Sequence, residues 1–424
     1  MKEDFLQFAW KFRLFASPDL ETTDGEGITI LKPGIHNTNA GPDFLEASLK
    51  IGGQVWNGHV EIHVKASDWN NHQHSNDPAY NNVILHAVFD PDLVIDLGKN
   101  GDLPVLDLSR FIDMSYQNNY ASLMQGLSDV ACANHLPKVK DITKKAWLER
   151  LSFERLERKT NEIYALVKLN QGDWRETFYQ LLARNFGFKI NAHGMSFLTE
   201  NLPLNVIEHH MESRFQLEAL FFGQSGLLNK NLADPLASEL WAEYEYLSKK
   251  FRISSLNVAV WKRLRLMPAN FPEIRISQFA HFLHLHQDFF SVLIEVGSKK
   301  QAIDAFSVEA SEYWKSHSAF DKGCKPRKVK LGRASIENIL INSVAPILFA
   351  YGKHKVKQQL VDIALQIMEE VKAENNKIVR SWIANGLPVN SARESQASIE
   401  LYNEYCTHKK CLNCMIGAEL ISSQ

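Results

Sequence analysis

Residues 4–15, DFLQFAWKFRLF, place Phe5, Phe8, Phe12 and Phe15 at steps of three and four, the spacing of one buried aromatic face on a helix. A Gly/Asp-rich break, TTDGEG, leads into ITILKPG, whose β-branched residues and closing Pro-Gly predict a strand and a turn. Leu45, Ala47 and Leu49 then alternate with Glu46, Ser48 and Lys50 ahead of Gly52-Gly53, and QVWNGHVEIHVK follows. That pattern predicts two consecutive strands in a hairpin. SNDPAYNN offers an Asp-Pro start for a short helix, and VILHAVF has the unbroken apolar texture of a strand buried on both faces. DLVIDL and PVLDL, either side of GKNG, predict another hairpin.

From about residue 140 the period changes. KKAWLERLSFERLERKTNEIYALVKL repeats apolar residues at helical spacing, and Asp173–Asn185, Leu217–Phe222, Asp234–Lys249, Ile276–Leu285, Ile336–Ala350 and Gln358–Asn375 share that composition. Phe178, Phe186, Phe221 and Phe222 fall at core spacing on these helices. The predicted class is therefore α+β: an N-terminal mixed-sheet α/β domain over 1–115, a linker over 116–140, and a mainly helical domain over 141–424.

At 424 residues the chain exceeds what one hydrophobic core usually organises. Its 45% hydrophobic and 23% charged residues are ordinary globular values and exclude long disorder or a coiled coil. The acidic start, MKEDFLQFAW, does not read as a signal peptide, and no apolar run approaches a membrane span, so a cytoplasmic protein without a membrane is expected. Charge is uneven. Residues 1–115 carry 8 Lys/Arg against 17 Asp/Glu, a formal −9, and the remainder is +7. A DNA or RNA partner would therefore be held mainly by the second part. The best phosphate contacts lie in KGCKPRKVKLGR, at Lys325, Arg327, Lys328, Lys330 and Arg333, with solvated surface charge as the plain alternative. Arg263, Arg265 and Arg275 flank Pro268 and Pro272 and suit phosphates or, preferably, an acidic patch of the first domain.

Chemistry concentrates in the first domain. Asp43 stands at a strand start and Glu61 on the following strand, where Glu61, His63 and Lys65 alternate onto one face. If Asp43 lies beside Glu61, the two carboxylates can hold Mg²⁺ or Mn²⁺ and activate water against a phosphodiester, with Lys65 or His63 assisting and Glu46 as a further ligand. The plain alternative is a turn cap at Asp43 and a salt bridge from Glu61 to Lys65. A third reading takes zinc, because His36, His59, His63, His72, His74 and His86 crowd residues 36–86, and His72 and His74 with Asp68 or Asp77 can form a loop site. His86, inside an apolar strand, reads as a core residue.

The order helix, three strands, helix, strand, with Pro42-Asp43 followed by Glu61-Ile62-His63, resembles the PD-(D/E)XK nuclease superfamily. Histidine replaces the lysine most often found in the second motif, and Tyr80 matches a common position in the next helix. The resemblance implies metal-dependent phosphodiester hydrolysis, or a noncatalytic nucleic-acid-binding or assembly protein that kept the fold. Over nearly its full length the chain resembles domain-of-unknown-function family 2851, a bacterial group found mainly in Bacteroidetes, through GPDFLEASLKIGG, VEIHVKASDWNNHQHSNDPAYNNVILHAV, RLRLMPANFPEIRISQFA and CLNCMIG. That resemblance implies no particular reaction.

Five cysteines are too few for a disulfide scaffold. Cys406, Cys411 and Cys414 form C-x4-C-x2-C, and a fourth thiolate from Cys132 or Cys324 would complete a zinc or iron–sulfur site, with His408 as another ligand and unmetallated thiols as the plain alternative. One distant cysteine plus three terminal ones resembles the iron–sulfur staple of some helicase-nucleases of that superfamily.

Overall fold

A computed structural model describes residues 1–95, 103–125 and 130–423. The chain forms two compact units: residues 1–147, 384–387 and 401–424 make the first, and 148–383 with 388–400 the second. This division differs from the expected one. The segment read as a linker contains helix Met114–Met124 and the 3-10 turns Ala133–Lys138, and the boundary falls inside helix Asp141–Leu169. The C-terminal cysteines belong to the first unit because helix Met415–Ser422 docks there: Asn119 Nδ2 donates to the carbonyls of Ile421 and Ser423, and Glu419 accepts from the Lys140 N–H.

The first unit opens with α1, Glu3–Phe12, which buries Phe5, Leu6, Phe8, Ala9 and Trp10. The aromatic face ends earlier than its spacing predicts, since Phe12 is 45% exposed and Arg13 closes the helix in the left-handed region at φ 51°. Seven strands follow: β1 Leu20–Glu21, β2 Gly27–Lys32, β3 Ile35–His36, β4 Phe44–Ile51, β5 Gln54–Lys65, β6 Val83–Asp90 and β7 Val105–Asp107. They form one mixed sheet in the order β1-β2-β4-β5-β6-β7, with β3 on β4. Pairing is antiparallel up to β5 and parallel from β5 to β7.

Local chemistry explains the arrangement. Gly52 and Gly53 take φ +56° and +86°, so the β4–β5 turn uses the conformations a two-residue hairpin demands. A parallel neighbour for β5 requires a crossover, and residues 66–82 supply it with α2, Asp68–Asn71, and two 3-10 turns, the second capped by Asp77 accepting from the Ala79 N–H. Every residue of β6 from Val83 to Val88 is buried, as its composition predicts. The predicted hairpin of 92–97 with 104–108 places its GKNG turn outside the described residues, and β7 pairs in parallel with β6.

The second unit is mainly helical, with one short two-stranded sheet of His317–Ala319 and Lys322–Gly323. Asp173 caps helix Trp174–Phe186 and Asp234 caps Pro235–Phe251, and Phe178, Phe186, Phe221 and Phe222 are fully buried in its core. Its helix Arg333–His354 has the length and apolarity to cross a bilayer, contrary to the expectation of no such run, but 67% of the apolar window is buried against the unit.

Candidate functional site

Two carboxylates from separate strands meet at the first unit's sheet. The Asp43 N–H donates to Glu61 Oε2 at 3.0 Å, and Asp43 Oδ2 accepts from the Ile62 N–H at 3.0 Å. Antiparallel pairing brings this about: Phe44 stands opposite Val60, so the residue before β4 lies beside Glu61. α1 reinforces the pair, because Gln7 Nε2 donates to Asp43 Oδ1 at 2.9 Å and to Glu3 Oε1 at 3.3 Å, and Gln7 Oε1 lies 3.3 Å from His36 Nε2. Burial raises both carboxyls well above their ordinary range, and for Glu61 the neighbouring Asp43 charge pushes the same way.

Imidazoles occupy the other side of Glu61. Its Oε1 lies 3.3 Å from His63 Nε2 and 3.3 Å from His74 Nε2, and His63 Nε2 is 3.2 Å from His72 Nδ1. The ligand atoms of His63, His72 and His74 all fall within 4.8 Å of one another. His63 alternates onto the Glu61 face of β5, whereas His72 and His74 arrive on the crossover. His74 is stacked on Tyr80 with ring centroids 3.8 Å apart, and Trp69 borders it, anchored by its indole N–H to Ser75. Burial, then the other imidazoles, lowers His63 to about 4 and also lowers His74, which favours the neutral rings that can ligate a cation. The His74 Nε2 is buried without hydrogen-bond geometry to any partner, although it points at Glu61. Such an orphaned nitrogen facing a carboxylate fits a metal ligand.

The other half of His63 is also held. Its Nδ1 lies 2.9 Å from His86 Nε2 on β6, where Glu61 and His86 are register partners. His86 is fully buried, as read from its strand, but only one ring nitrogen is satisfied.

Several expected members stand elsewhere. Lys65 lies four residues along β5 from Glu61, about 13 Å by strand rise; it is exposed and its charge acts on Asp92, so it stands apart from the Glu61 cluster. Glu46 is exposed on a β4 bulge at φ 56°, with its N–H directed at His59 Nδ1, and is no ligand of this cluster. Asp68 accepts the Lys65 N–H and Asp77 caps a turn, so each loop acid already has a backbone partner, and their charges favour the protonated forms of His63 and His74 respectively. Glu3 and Gln7 escaped the sequence reading, although their i, i+4 spacing puts them on one helical face.

Beside this cluster lies a cavity of about 210 Å³, lined by Gln7, Lys11, His36, Tyr120, Lys409 and Lys410 among others. Gln7 therefore links the cavity wall to Asp43. A second, smaller cavity is lined by Cys132, Cys406, Cys411 and Cys414 together with Ala131, Leu401, Ile416 and Gly417. Burial and the neighbouring sulfurs push the Cys132 thiol up to about 12 and that of Cys406 well up; burial lifts Cys414 to about 11 against the Gly417 and Ile416 N–H groups. Cys324 lies in the second unit, its N–H bonded to the Ser316 carbonyl.

The proposed phosphate contacts also lie in the second unit. Lys325, Lys328 and Lys330 are exposed, but Arg327 donates to the His317 carbonyl at 2.8 Å and Arg333 pairs with Glu337 at 3.2 Å. Those two guanidiniums serve local structure. Arg263 likewise pairs with Glu273, and buried Arg275 bonds Gln278, Asn270 and Ser335, so neither needs the first domain's acids.

No curated protein and no solved structure matches the chain. Residues 3–377 match the model of a family described as protein of unknown function (DUF2851), a span covering the sheet, the histidine cluster and most of the helical unit, and the chain belongs to that family.

Proposed function

We propose that this protein is a cytoplasmic, metal-dependent hydrolase of phosphodiester bonds in nucleic acid, with its centre on Glu61, Asp43, His63, His72 and His74. The observation carrying this reading is the packing of donor atoms around Glu61, where three separations are 3.2–3.3 Å. A tetrahedral shell of radius about 2.0–2.1 Å has edges of about 3.3–3.4 Å. Three imidazoles shift the preferred ion from Mg²⁺ towards Mn²⁺ or Zn²⁺. Leaving aside the two-residue strands β1 and β3, α1 and the antiparallel β2, β4 and β5 followed by a crossover to the parallel β6 support the nuclease comparison.

A bound cation supplies Lewis-acid polarisation of the phosphodiester and a more acidic water. The chain's own residues prepare the site for it. Gln7 and the Ile62 N–H fix both oxygens of Asp43, and Tyr80 and Trp69 fix the His74 ring. His72 stands exposed at the rim of the cluster. Lys11, Lys409 and Lys410 bring positive charge to the adjacent cavity, where a phosphate backbone can be held.

The test is incubation of Mn²⁺- or Zn²⁺-loaded protein with single- and double-stranded DNA and RNA, comparing wild type with Glu61→Gln. Cleavage that drops at least about 100-fold in the variant supports the reading. Salt-dependent binding without cleavage overturns it in favour of a noncatalytic binder. A second reading, favoured by the three imidazoles, is zinc-dependent hydrolysis of a small molecule. It requires turnover of a small phosphoester with nucleic acid left intact.

A further inference from the structure

The cysteines most distant in sequence are neighbours in space. Cys132 precedes the 3-10 turns of 133–138, Cys406 ends one helical segment, Cys411 sits in a short turn and Cys414 caps helix Met415–Ser422, yet all four line one small cavity, whose other walls are mostly apolar apart from Tyr405 and Lys410. Cys132 and Cys414 are buried, and Cys406 and Cys411 half-buried.

The loop is shaped to keep the sulfurs there. A side chain at Gly417 would collide with the Cys411 carbonyl, so glycine lets the turn pack onto the last helix. The N–H groups of Ile416 and Gly417 point at the Cys414 sulfur, as donors to a ligated thiolate do. The sulfurs nevertheless do not close on one another as the imidazoles do. Among the described residues, the histidine trio is the group of three ligand atoms that lies within 4.8 Å. A single zinc ion with Zn–S of about 2.3 Å would draw four sulfurs to about 3.8 Å apart; a wider arrangement around a cavity suits a cluster of several metal atoms.

We infer that Cys132, Cys406, Cys411 and Cys414 ligate an iron–sulfur cluster that ties the C-terminal segment to the body of the first unit. Each thiol gives up its proton on ligation, and the cluster takes four thiolates. The centre is separate from the hydrolytic site and does not depend on that assignment. It has a bearing on it through residues 407–413: Lys410 lines both the cysteine cavity and the basic cavity beside Asp43, and Lys409 lines the latter. The cluster thus sets the position of two cations on that wall.

The experiment is anaerobic purification of the full chain, with iron, acid-labile sulfide and zinc measured alongside visible absorption and electron paramagnetic resonance after reduction. Stoichiometric iron and sulfide are expected, at about four each per chain for a cubane cluster, with the signal lost in Cys411→Ser and Cys132→Ser and retained in Cys324→Ser. The wild-type metal content and the Cys324→Ser control stand as readouts independent of any misfolding in the ligand variants. Stoichiometric zinc in place of iron, or anaerobically purified protein with neither metal, overturns the assignment. Iron retained in Cys132→Ser overturns the ligand set. A cluster-bearing protein that cleaves no nucleic acid leaves this inference intact and removes only the hydrolase reading.

Discussion

His63 and His86 face each other across two parallel strands, with Nδ1 of one 2.9 Å from Nε2 of the other, while His63 Nε2 turns to Glu61. This contact orients the ring that shares Glu61 Oε1 with His74. Groups that hold the outer nitrogen of a metal-bound imidazole are typically worth about 10–100-fold in affinity. His86→Phe is therefore expected to weaken Mn²⁺ or Zn²⁺ binding by about that factor, read by titration calorimetry, with His86→Gln retaining part of it. Unchanged affinity in both variants would show that His86 is mere packing.

Lys65 provides the opposite test. Its exposure and its distance along β5 predict that Lys65→Ala changes metal binding and any cleavage by less than about twofold. A loss comparable with Glu61→Gln would mean that Lys65 reaches the carboxylates and that the site differs from the one described.

At Gly58, β5 passes close to the end of the crossover and the start of β6. A side chain there would meet the Asn82 carbonyl and lie 2.5 Å from Ile84 Cγ2. Gly58→Ala should destabilise the first unit by about 1–3 kcal/mol through overpacking, visible as a lower denaturation midpoint. The neighbouring His59 N–H bond to Asn82 should lose hydrogen-exchange protection with it.

In the second unit, Glu400 accepts from Arg155 at 2.9 Å and from Arg158 at 2.7 and 3.0 Å. Burial alone would raise its carboxyl, but the hydrogen bonds and charges of Arg158 and Arg155 outweigh it and hold it below 4.5. A depressed folded-state value means that this stabilisation is complete above about pH 4.5 and is lost as pH falls through the lower, folded-state value. Glu400→Gln should cost about 3 kcal/mol at neutral pH. It should also flatten the acid limb of a stability–pH curve below pH 4.5; an unaltered acid limb would show that the pair contributes nothing.

Much of the architecture was legible in local pattern. Alternation in 44–51, the Gly52-Gly53 turn and the unbroken apolar run of 83–88 are short-range signals, and each became the strand or turn it predicted. Asp173 and Asp234 marked helix starts for the same reason, since a capping carboxylate acts within three residues of its own position. Where the pattern misled, a tertiary choice had intervened. The 116–140 segment, read as a linker, folded as part of the first unit.

For the candidate site, the sequence by itself determined which chemical groups are present and which of them share a strand face: Glu61 with His63, and a second set of imidazoles on the crossover. Strand alternation and loop composition are properties of a few adjacent residues, so one chain suffices to read them. Only the tertiary structure decided that Glu3 and Gln7 belong beside Asp43, that His72 and His74 take the place offered to Lys65, and that Cys132 joins three cysteines some 270 to 280 positions away. Those associations depend on strand register and on the docking of the last helix, and both are fixed by burial summed over many distant residues that no short motif records.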